Sequence, residues 1–319
     1  MHHQTDTPDS FLSKRHAKIA SGKTKNIYAV YDRPDLVIME NNNSITKNDD
    51  PSATKQMASK AKTATKTTCN VFELLKQLGI PVAYKMQLSE TEFLSKKCQM
   101  IPLEVIIRRY AVGSFLKRRP DLSSDPKNPF HFEKLIFELF LKTTGKEIKD
   151  LDGFVVGTIP DEDPFIENPY SNTEYWLLRH SKLPANSLEN FNINIEKELF
   201  IENIETISKI EEITRKTFLV LEKAWDNLGY KLIDFKIEFG LSEDGELLIA
   251  DVIDNDSWRL RDKEWNELSK QNFRDNVPLD VIADKYSMVA SLTDNFSSQN
   301  LIEILSYMDE KYYNESIHI

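Results

Sequence analysis

The sequence predicts an α+β fold with two lobes, an antiparallel amino-terminal sheet lobe and a larger mixed lobe with helices. Short runs that alternate apolar and polar residues recur along the chain, and helical patterns interrupt them at irregular intervals. Most predicted strands follow one another directly, which is typical of α+β proteins. A chain of 319 residues with 40% hydrophobic content is long and apolar enough to bury a hydrophobic core.

The first lobe is predicted over residues 17–101, after a polar and flexible tail at 1–16. Strands are expected in IASGKTKNIYAVY, DLVIME, VAYKMQL and TEFLS, with a turn at Gly22. A helix is expected from about Gln56 to Leu78, because apolar residues recur there at helical spacing and Gly-Ile-Pro follows.

The second lobe is predicted over residues 102–319. It should contain a strand in LEVIIRRY, a long helix from Asn194 to Leu228, and two further strands in KLIDFKIEFG and ELLIADVI. The stretch near 143–192 is rich in Asp, Asn, Pro and Gly, so we interpret it as a long irregular insertion. Such an insertion in a compact domain is more often a lid or binding loop than a disordered segment.

The composition excludes several classes of function. A net charge of −10 and a pI near 5.3 argue against nucleic-acid binding, which needs a basic surface. No apolar run reaches the roughly 20 residues that span a bilayer, and the amino terminus lacks the apolar region of a signal peptide. Two cysteines, Cys69 and Cys98, make no disulfide framework, so a cytoplasmic location is expected.

A predicted hairpin carries the strongest local signal. In LIDFKIEFG the residues Asp234, Lys236 and Glu238 share one strand face, opposite a row of apolar side chains. If Asp-Gly forms a two-residue turn, Glu238 lies directly opposite Asp251. Facing carboxylates repel each other, which favours a bound cation such as Mg²⁺. A solvated acidic edge neutralised by Lys236 explains the same residues, and both interpretations stay open at this point.

Two other stretches suit anions. In SGKTKNIY, Lys23 and Lys25 should share a strand face, although a phosphate loop is excluded because Ala17 stands where that motif needs glycine. In LEVIIRRYAVGSFLKRRP, a strand ends near Arg108, and Ser114 is a plausible N-cap for a short helix. The following Lys117, Arg118 and Arg119 are expected to form a basic surface turn.

Taken together, five motifs resemble the SAICAR synthetase family. They are GKTKNIY, LSETEFL, QMIPLEVIIRRYAVGSFLKR, DFKIEFG and ADVIDNDSWRL, and the likeness covers roughly residues 18–140 and 200–290. The pattern is closer to the animal-type sequence than to the usual bacterial one. The resemblance implies an ATP cleft between two lobes and a ligase of purine biosynthesis. Such an enzyme joins L-aspartate to carboxyaminoimidazole ribonucleotide (CAIR) through an acyl phosphate, giving SAICAR, ADP and phosphate.

The resemblance also implies roles for individual residues. The implied ATP-binding residues are Gly22, Lys23, Lys25, Gln99, Met100, Ile101, Glu238 and Asp251, and the last two would also hold Mg²⁺. The implied substrate-binding residues are Arg108, Ser114, Asp234, Lys236, Asp256 and Arg259. Lys236, Glu238 and Asp251 would be catalytic. Trp258 is expected to pack rather than react.

One departure from the family pattern concerns aspartate. The family often has a histidine–aspartate pair after the LFLK segment, whereas here Glu162-Asp163 is the nearest match and no histidine accompanies it. The sequence leaves the aspartate-binding residues and the oligomeric state open, a homo-oligomer included.

Two other functions also remain open. A small-molecule kinase would share the ATP lobe and the acids, and a nucleotide-binding regulator would not need both Glu238 and Asp251.

Overall fold

A computed structural model of the protein describes residues 7–46 and 51–316. Its amino-terminal elements are α1 (Pro8–Leu12), β1 (Arg15–Ser21), β2 (Lys25–Val30), β3 (Arg33–Asn41), β4 (Ser44–Thr46), β5 (Thr54–Gln56), α2 (Lys60–Gln77), β6 (Tyr84–Gln87), β7 (Glu92–Lys96) and β8 (Cys98–Met100). One antiparallel sheet runs in the order β1-β2-β3-β7-β6. The pair β4-β5 lies apart from it.

The second part of the chain builds a larger sheet. Its elements are β9 (Leu103–Tyr110), α3 (Phe115–Arg118), β10 (His131–Leu141), β11 (Thr143–Thr144), β12 (Glu147–Lys149), β13 (Val155–Thr158), β14 (Phe165–Glu167), β15 (Tyr175–Arg179), β16 (Ile193–Glu196), α4 (Ile204–Asn227), β17 (Lys231–Ser242), β18 (Leu247–Ala250), β19 (Trp258–Arg261), α5 (Gln271–Arg274), α6 (Leu279–Thr293) and α7 (Leu301–Ser316). This main sheet has the order β16-β15-β14-β10-β9-β17-β18, and β8 and β19 also pair with β17. The predicted α+β class with antiparallel sheets is confirmed.

Strand β17 organises the core on one face and the polar residues on the other. Phe235 stacks on Phe218 of α4 with ring centroids 5.5 Å apart, and both rings are buried. Trp258 is also buried, lies 5.5 Å from Trp225 and donates its indole N–H to Asn255. The prediction that Trp258 packs is therefore confirmed. The opposite face of β17 is left for the charged side chains.

The helix ends follow from local sequence. Helix α2 ends in a Schellman motif, in which Gly79 has φ +75° and Ile80 donates its N–H to the carbonyl of Leu75. Helix α4 begins later than predicted, because residues 193–196 form a strand and Asn203 caps the helix by accepting a hydrogen bond from the N–H of Thr206.

Two segment predictions need correction. The flexible tail expected at 1–16 does not extend over residues 8–16, because α1 forms there and Phe11 is buried; residues 1–6 lie outside the described residues. The insertion near 143–192 is not irregular. Strands β11, β12 and β13 form a small sheet, and β14 and β15 extend the main sheet. The predicted boundary at residue 101 lies just after β8, which already pairs with β17 of the main sheet, and it stays a prediction.

Across residues 7–46 and 51–316, no helix is both long enough and apolar enough to cross a bilayer.

Candidate active site

The charged face of β17 is flanked by two arginines from neighbouring strands. In the antiparallel register Asp234 lies opposite Arg108 of β9 on one side and opposite Arg259 of β19 on the other. Arg108 donates to the Asp234 carboxylate over 2.6 Å, and Arg259 donates to the same oxygen over 2.5 Å. The sheet therefore brings both sequence-predicted arginines to one point, where a carboxylate of the protein already lies between them.

The contacts continue across the sheet as an alternating series, here called the arginine–carboxylate chain. Its members in order are Arg118, Glu138, Arg108, Asp234 and Arg259. Arg108 donates its Nε–H to Glu138 over 2.6 Å, and Arg118 pairs with the other oxygen of Glu138. The three guanidiniums are positively charged and the two carboxylates are negatively charged, so the arginine–carboxylate chain has one positive charge that no carboxylate neutralises. Since most of its members are buried, an anion at either end would be strongly favoured.

The pKa shifts within the chain agree with this imbalance. Burial disfavours the charge of Arg108, but Glu138 and Asp234 outweigh that effect and raise its pKa. Burial lowers the pKa of Arg118, and the positive charge of Arg108 lowers it further despite the attraction of Glu138. Arg118 is therefore the less fully neutralised of the two. The prediction that Arg118 belongs to a basic surface turn is wrong, because the side chain is 9% exposed.

The Arg259 end of the chain lies against a glycine turn. Gly113 has φ +63°, and a Cβ on it would overlap the guanidinium of Arg259. Ser114 occupies the N-cap position of α3, as predicted, but its side chain makes no capping hydrogen bond. Arg274 of α5 lies close enough to Arg259 for the two charges to repel; burial and that repulsion lower the pKa of Arg274. Two arginines, Arg259 and Arg274, thus lie at this end of the chain, close to the turn that carries Ser114.

A second cluster lies further along the same face of β17. Glu238 is buried, accepts from Lys142 over 2.6 Å and pairs with Lys236 at 3.3 Å. Lys236 also donates to Glu104 over 2.8 Å. Burial alone would raise the pKa of Glu238, but the surrounding lysines lower it to about 2. Glu238 is thus held as a carboxylate at any pH at which an enzyme works.

The predicted hairpin register is wrong by one residue. Glu238 pairs with Ala250, and the loop has three residues, 243–245, with Gly245 at φ +76°. Asp251 follows the end of β18 with φ +67° and forms an ion pair with Lys25. Lys25 also feels the charge of Glu238, and burial lowers its pKa to about 8. The two acids do not face each other across the ladder, but both contact or approach the same lysine.

The remaining predicted ATP residues lie where the two sheets meet. Strand β8 pairs with β17 with Met100 opposite Gly240, and Ile101 donates its N–H to the carbonyl of Phe239. The side chains of Gln99 and Met100 are exposed, and Gln99 donates to the carbonyl of Leu151 over 3.0 Å. Among the described strands β8 pairs with β17 alone, which leaves its other edge of main-chain groups available to a ligand.

The loop between β1 and β2 departs from the expected geometry. Gly22 donates its N–H to the carbonyl of Lys25 over 2.8 Å, which closes a tight turn. Lys25 begins strand β2, whereas Lys23 lies within the turn and is exposed. The prediction that the two lysines share a strand face is therefore wrong.

Asp256 lies in an ion-pair cluster of its own. Its carboxylate is 3.3 Å from the Lys60 ammonium and 3.2 Å from that of Lys270, and it accepts from the Tyr286 hydroxyl over 2.7 Å. Although burial opposes ionisation, these partners hold its pKa well below the usual range. The structure does not bring Asp256 into contact with Arg259; Arg274, which feels both groups, lies near them.

A sequence comparison identifies the family of this chain. The family model described as SAICAR synthetase matches residues 18–152 and 182–289, which is most of the chain. The chain belongs to the SAICAR synthetase family. It is 34% identical over 290 residues to the "Probable multifunctional protein ADE2" of Caenorhabditis elegans, covering 88% of this chain and 58% of that protein. It is 31% identical to the phosphoribosylaminoimidazole-succinocarboxamide synthase of Chloroflexus aurantiacus, covering 88% of this chain and 97% of that one.

Solved structures share the fold of this SAICAR synthetase family member. The phosphoribosylaminoimidazole-succinocarboxamide synthase of Ehrlichia chaffeensis superposes with a TM-score of 0.65 at 24% identity, over 87% of this chain and 98% of that one. A SAICAR synthetase in complex with ADP superposes with a TM-score of 0.60 at 24% identity, over 94% and 99%. Some relatives are longer proteins: the chain spans 58% of the nematode protein and 27% of the Bifunctional purine synthesis protein purC/E of Dictyostelium discoideum.

Several residues of this family member's site escaped the sequence prediction. They are Lys60, Glu104, Arg118, Glu138, Lys142 and Arg274. A weak signal existed for Glu138, which is the one acid in the otherwise apolar run LIFELFL. Lys142 ends the LFLK segment, but nothing local indicates that it reaches Glu238 across the sheet.

The structure also supplies a histidine–aspartate contact that the sequence did not reveal. His180 Nε2 lies 3.2 Å from a carboxylate oxygen of Asp161, and both residues belong to the insertion. Asp163 accepts hydrogen bonds from the N–H and hydroxyl of Thr143. Glu162-Asp163 stays the nearest sequence match to the family pair, and the contact between His180 and Asp161 is a second candidate for that place.

Proposed function

We propose that the protein is an ATP-dependent ligase that joins L-aspartate to the carboxylate of CAIR, giving SAICAR, ADP and phosphate. One observation carries the proposal: the lysine-surrounded carboxylate of Glu238 and an arginine cluster with surplus positive charge lie on the same face of β17. The first suits the phosphates of a nucleotide and the second suits a substrate phosphate. Membership of the SAICAR synthetase family supports the same reaction.

The nucleotide is proposed to lie between the two sheets. Its adenine would meet the free edge of β8 at Gln99, Met100 and Ile101, and its phosphates would lie near the Gly22 turn with Lys23 and Lys25. The solved relative in complex with ADP supports a nucleotide site in this family. Lys25 forms an ion pair with Asp251 and feels the charge of Glu238, so its ammonium group is placed to contact a phosphate of the nucleotide.

Glu238 and Asp251 fit a magnesium ion by their donor chemistry. Both are ionised oxygen ligands beside lysine ammoniums, and Mg²⁺ is commonly held by one or two carboxylates together with nucleotide phosphates. In the described part of the chain no group of three or more His, Cys, Asp or Glu side chains could hold a metal, which agrees with a site completed by phosphate oxygens. When bound, Mg²⁺ would neutralise phosphate charge.

The CAIR phosphate is proposed to bind at Arg259, with Arg274 and Ser114 beside it. The CAIR carboxylate would then extend along the β17 face toward Lys236 and Glu238. Arg108 and Asp234 are buried and act by orienting Arg259 and sharing its charge. Asp256 would act through Arg274 rather than by direct contact.

The chemistry needs charge neutralisation and positioning more than a nucleophilic side chain. An oxygen of the CAIR carboxylate attacks the γ-phosphorus, the bond to the β-phosphate oxygen breaks, and ADP leaves. The amine of aspartate then attacks the acyl carbon, the carbon–oxygen bond to phosphate breaks, and an amide forms with loss of one proton from nitrogen. Lys236 and Lys142 would stabilise the charge on the transferred group.

The test is ADP release with CAIR and aspartate omitted in turn. With ¹⁸O in the CAIR carboxylate, the acyl-phosphate route moves one labelled oxygen into the released phosphate. A kinase would keep the phosphoryl group on its product, and a regulator would make no ADP. Folded protein that binds ATP but forms no amide under any condition would refute the proposed function.

A further inference from the structure

A cavity of about 310 Å³ lies at the opposite end of the arginine–carboxylate chain from Arg259. Its walls include the rings of Phe115, Phe132 and Phe165, and its polar lining includes Arg118, Arg179 and His180. A volume near the lower end of the usual range, apolar walls and a few polar groups are typical of a small-molecule site.

The cavity is assembled partly from residues outside the family-model match. The family match leaves out residues 153–181, and this segment supplies Phe165, Arg179 and His180. The segment is built into the main sheet, because Phe165 of β14 pairs with Phe140 of β10 and with Arg179 of β15. Part of the cavity wall therefore comes from residues that the family model does not match.

The basic side chains that line the cavity differ in how fully nearby carboxylates neutralise them. Arg179 donates to Glu167 over 2.8 Å, and His180 contacts Asp161, so each of these has an acid of its own. Arg118 donates to the carbonyl of Ser181 over 2.5 Å, but its one carboxylate partner is Glu138, which it shares with Arg108. The guanidinium also lies over the ring of Phe165, 4.9 Å from its centroid. The surplus positive charge of the chain thus reaches the cavity at Arg118, beside an aromatic wall.

We propose that this cavity binds a small planar aromatic anion that is not a substrate of the proposed reaction. Its ring would pack against Phe115, Phe132 and Phe165, where edge or offset contacts between aromatic rings are favourable. Its carboxylate, phosphate or sulfonate would accept hydrogen bonds at Arg118 and neutralise the surplus charge of the arginine–carboxylate chain. This site is separate from the one at Arg259, because Glu138, Arg108 and Asp234 lie between them.

The test compares two probes of the same shape. Binding of 1-naphthoate and of neutral 1-naphthamide to the full chain is measured by isothermal titration calorimetry at low salt. The carboxylate should bind about tenfold or more tightly than the amide, because a hydrogen bond between an ionised donor and an ionised acceptor is stronger than one to a neutral amide. Equal affinities, or no binding of 1-naphthoate, would overturn the proposal.

A variant at the rim locates the binding without touching the proposed active site. Ala185 is exposed and lines the cavity, so Ala185→Trp should fill the space and weaken 1-naphthoate binding by about tenfold or more. The matched control is Leu188→Trp, at a fully exposed position three residues away that does not line the cavity. Affinity that is unchanged in Ala185→Trp would place the probe elsewhere and refute the site. ATP binding should be the same in all three proteins, whether or not the proposed ligase activity is found.

Discussion

Removing the carboxylate of Glu138 should destabilise the fold more than removing Arg118, its partner in the same ion pair. Glu138 holds two arginines, so Glu138→Gln loses two buried charge-assisted contacts of about 1.5–3 kcal/mol each, or about 3–6 kcal/mol together. It also leaves three guanidiniums with one carboxylate. Arg118→Met loses its contact with Glu138 and its hydrogen bond to the carbonyl of Ser181. It also removes the repulsion between Arg118 and Arg108 and leaves two cations with two carboxylates, so the unpaired buried charge left by Glu138→Gln is what separates the two variants.

The difference between the two variants should therefore be about 2 kcal/mol in the free energy of unfolding, measured by urea denaturation with an unchanged slope. Glu167→Gln is the control, because Glu167 pairs with Arg179 at a more exposed position of the same sheet, where ion pairs contribute about 0–1 kcal/mol. An Arg118→Met variant as unstable as Glu138→Gln would mean that the chain carries no surplus positive charge.

Three further predictions concern the proposed active site. Asp251→Asn should lower the rate of ADP release by orders of magnitude while the circular dichroism spectrum and melting temperature stay close to those of the parent; unchanged activity would exclude Asp251 from the site. Arg259→Ala should raise the Kd for CAIR about tenfold or more and leave the Kd for ATP unchanged, since one charge-assisted hydrogen bond contributes about 1.5–3 kcal/mol; equal losses for both ligands would argue against separate sites. Because the pKa of Glu238 is lowered to about 2 from 4.5, its carboxylate stabilises the fold above pH 4.5, and this contribution is lost as the pH falls toward 2. The unfolding free energy of the parent relative to Glu238→Gln should therefore fall by about 3 kcal/mol across that window, and a difference that does not change with pH would refute the prediction.

The sequence predicted the charged face of β17 correctly because strand alternation is a local property. Asp234, Lys236 and Glu238 share a face whatever the neighbouring strands are. The register of β17 and β18 depends on the number of residues in the loop between them. Gly245, in a left-handed conformation, closes a three-residue loop instead of the predicted two-residue turn. Because the loop has one residue more than predicted, Asp251 is not paired with β17.

The contacts of Arg118 and Lys142 could not be predicted, because their partners lie on other strands. The sequence around Arg118 predicts a basic turn. The residue is buried because β14 and β10 pack beside α3. Lys142 follows the end of β10 and meets Glu238 at a separation of 96 residues. The motifs indicated which residues belong to the site, but not which of them neutralise one another.

The arginine–carboxylate chain has a consequence for the order in which the protein assembles during synthesis. Arg108 and Glu138 lie 30 residues apart on adjacent strands, so their ion pair can form as soon as the β9–β10 hairpin has emerged from the ribosome. Asp234 lies 126 residues beyond Arg108. Until it is made, the exposed edge of β9 has no strand to cover it, and the nascent chain presents a half-built sheet with an unmatched cation. We therefore expect the nascent chain to be most prone to aggregation in the interval before β17 is made.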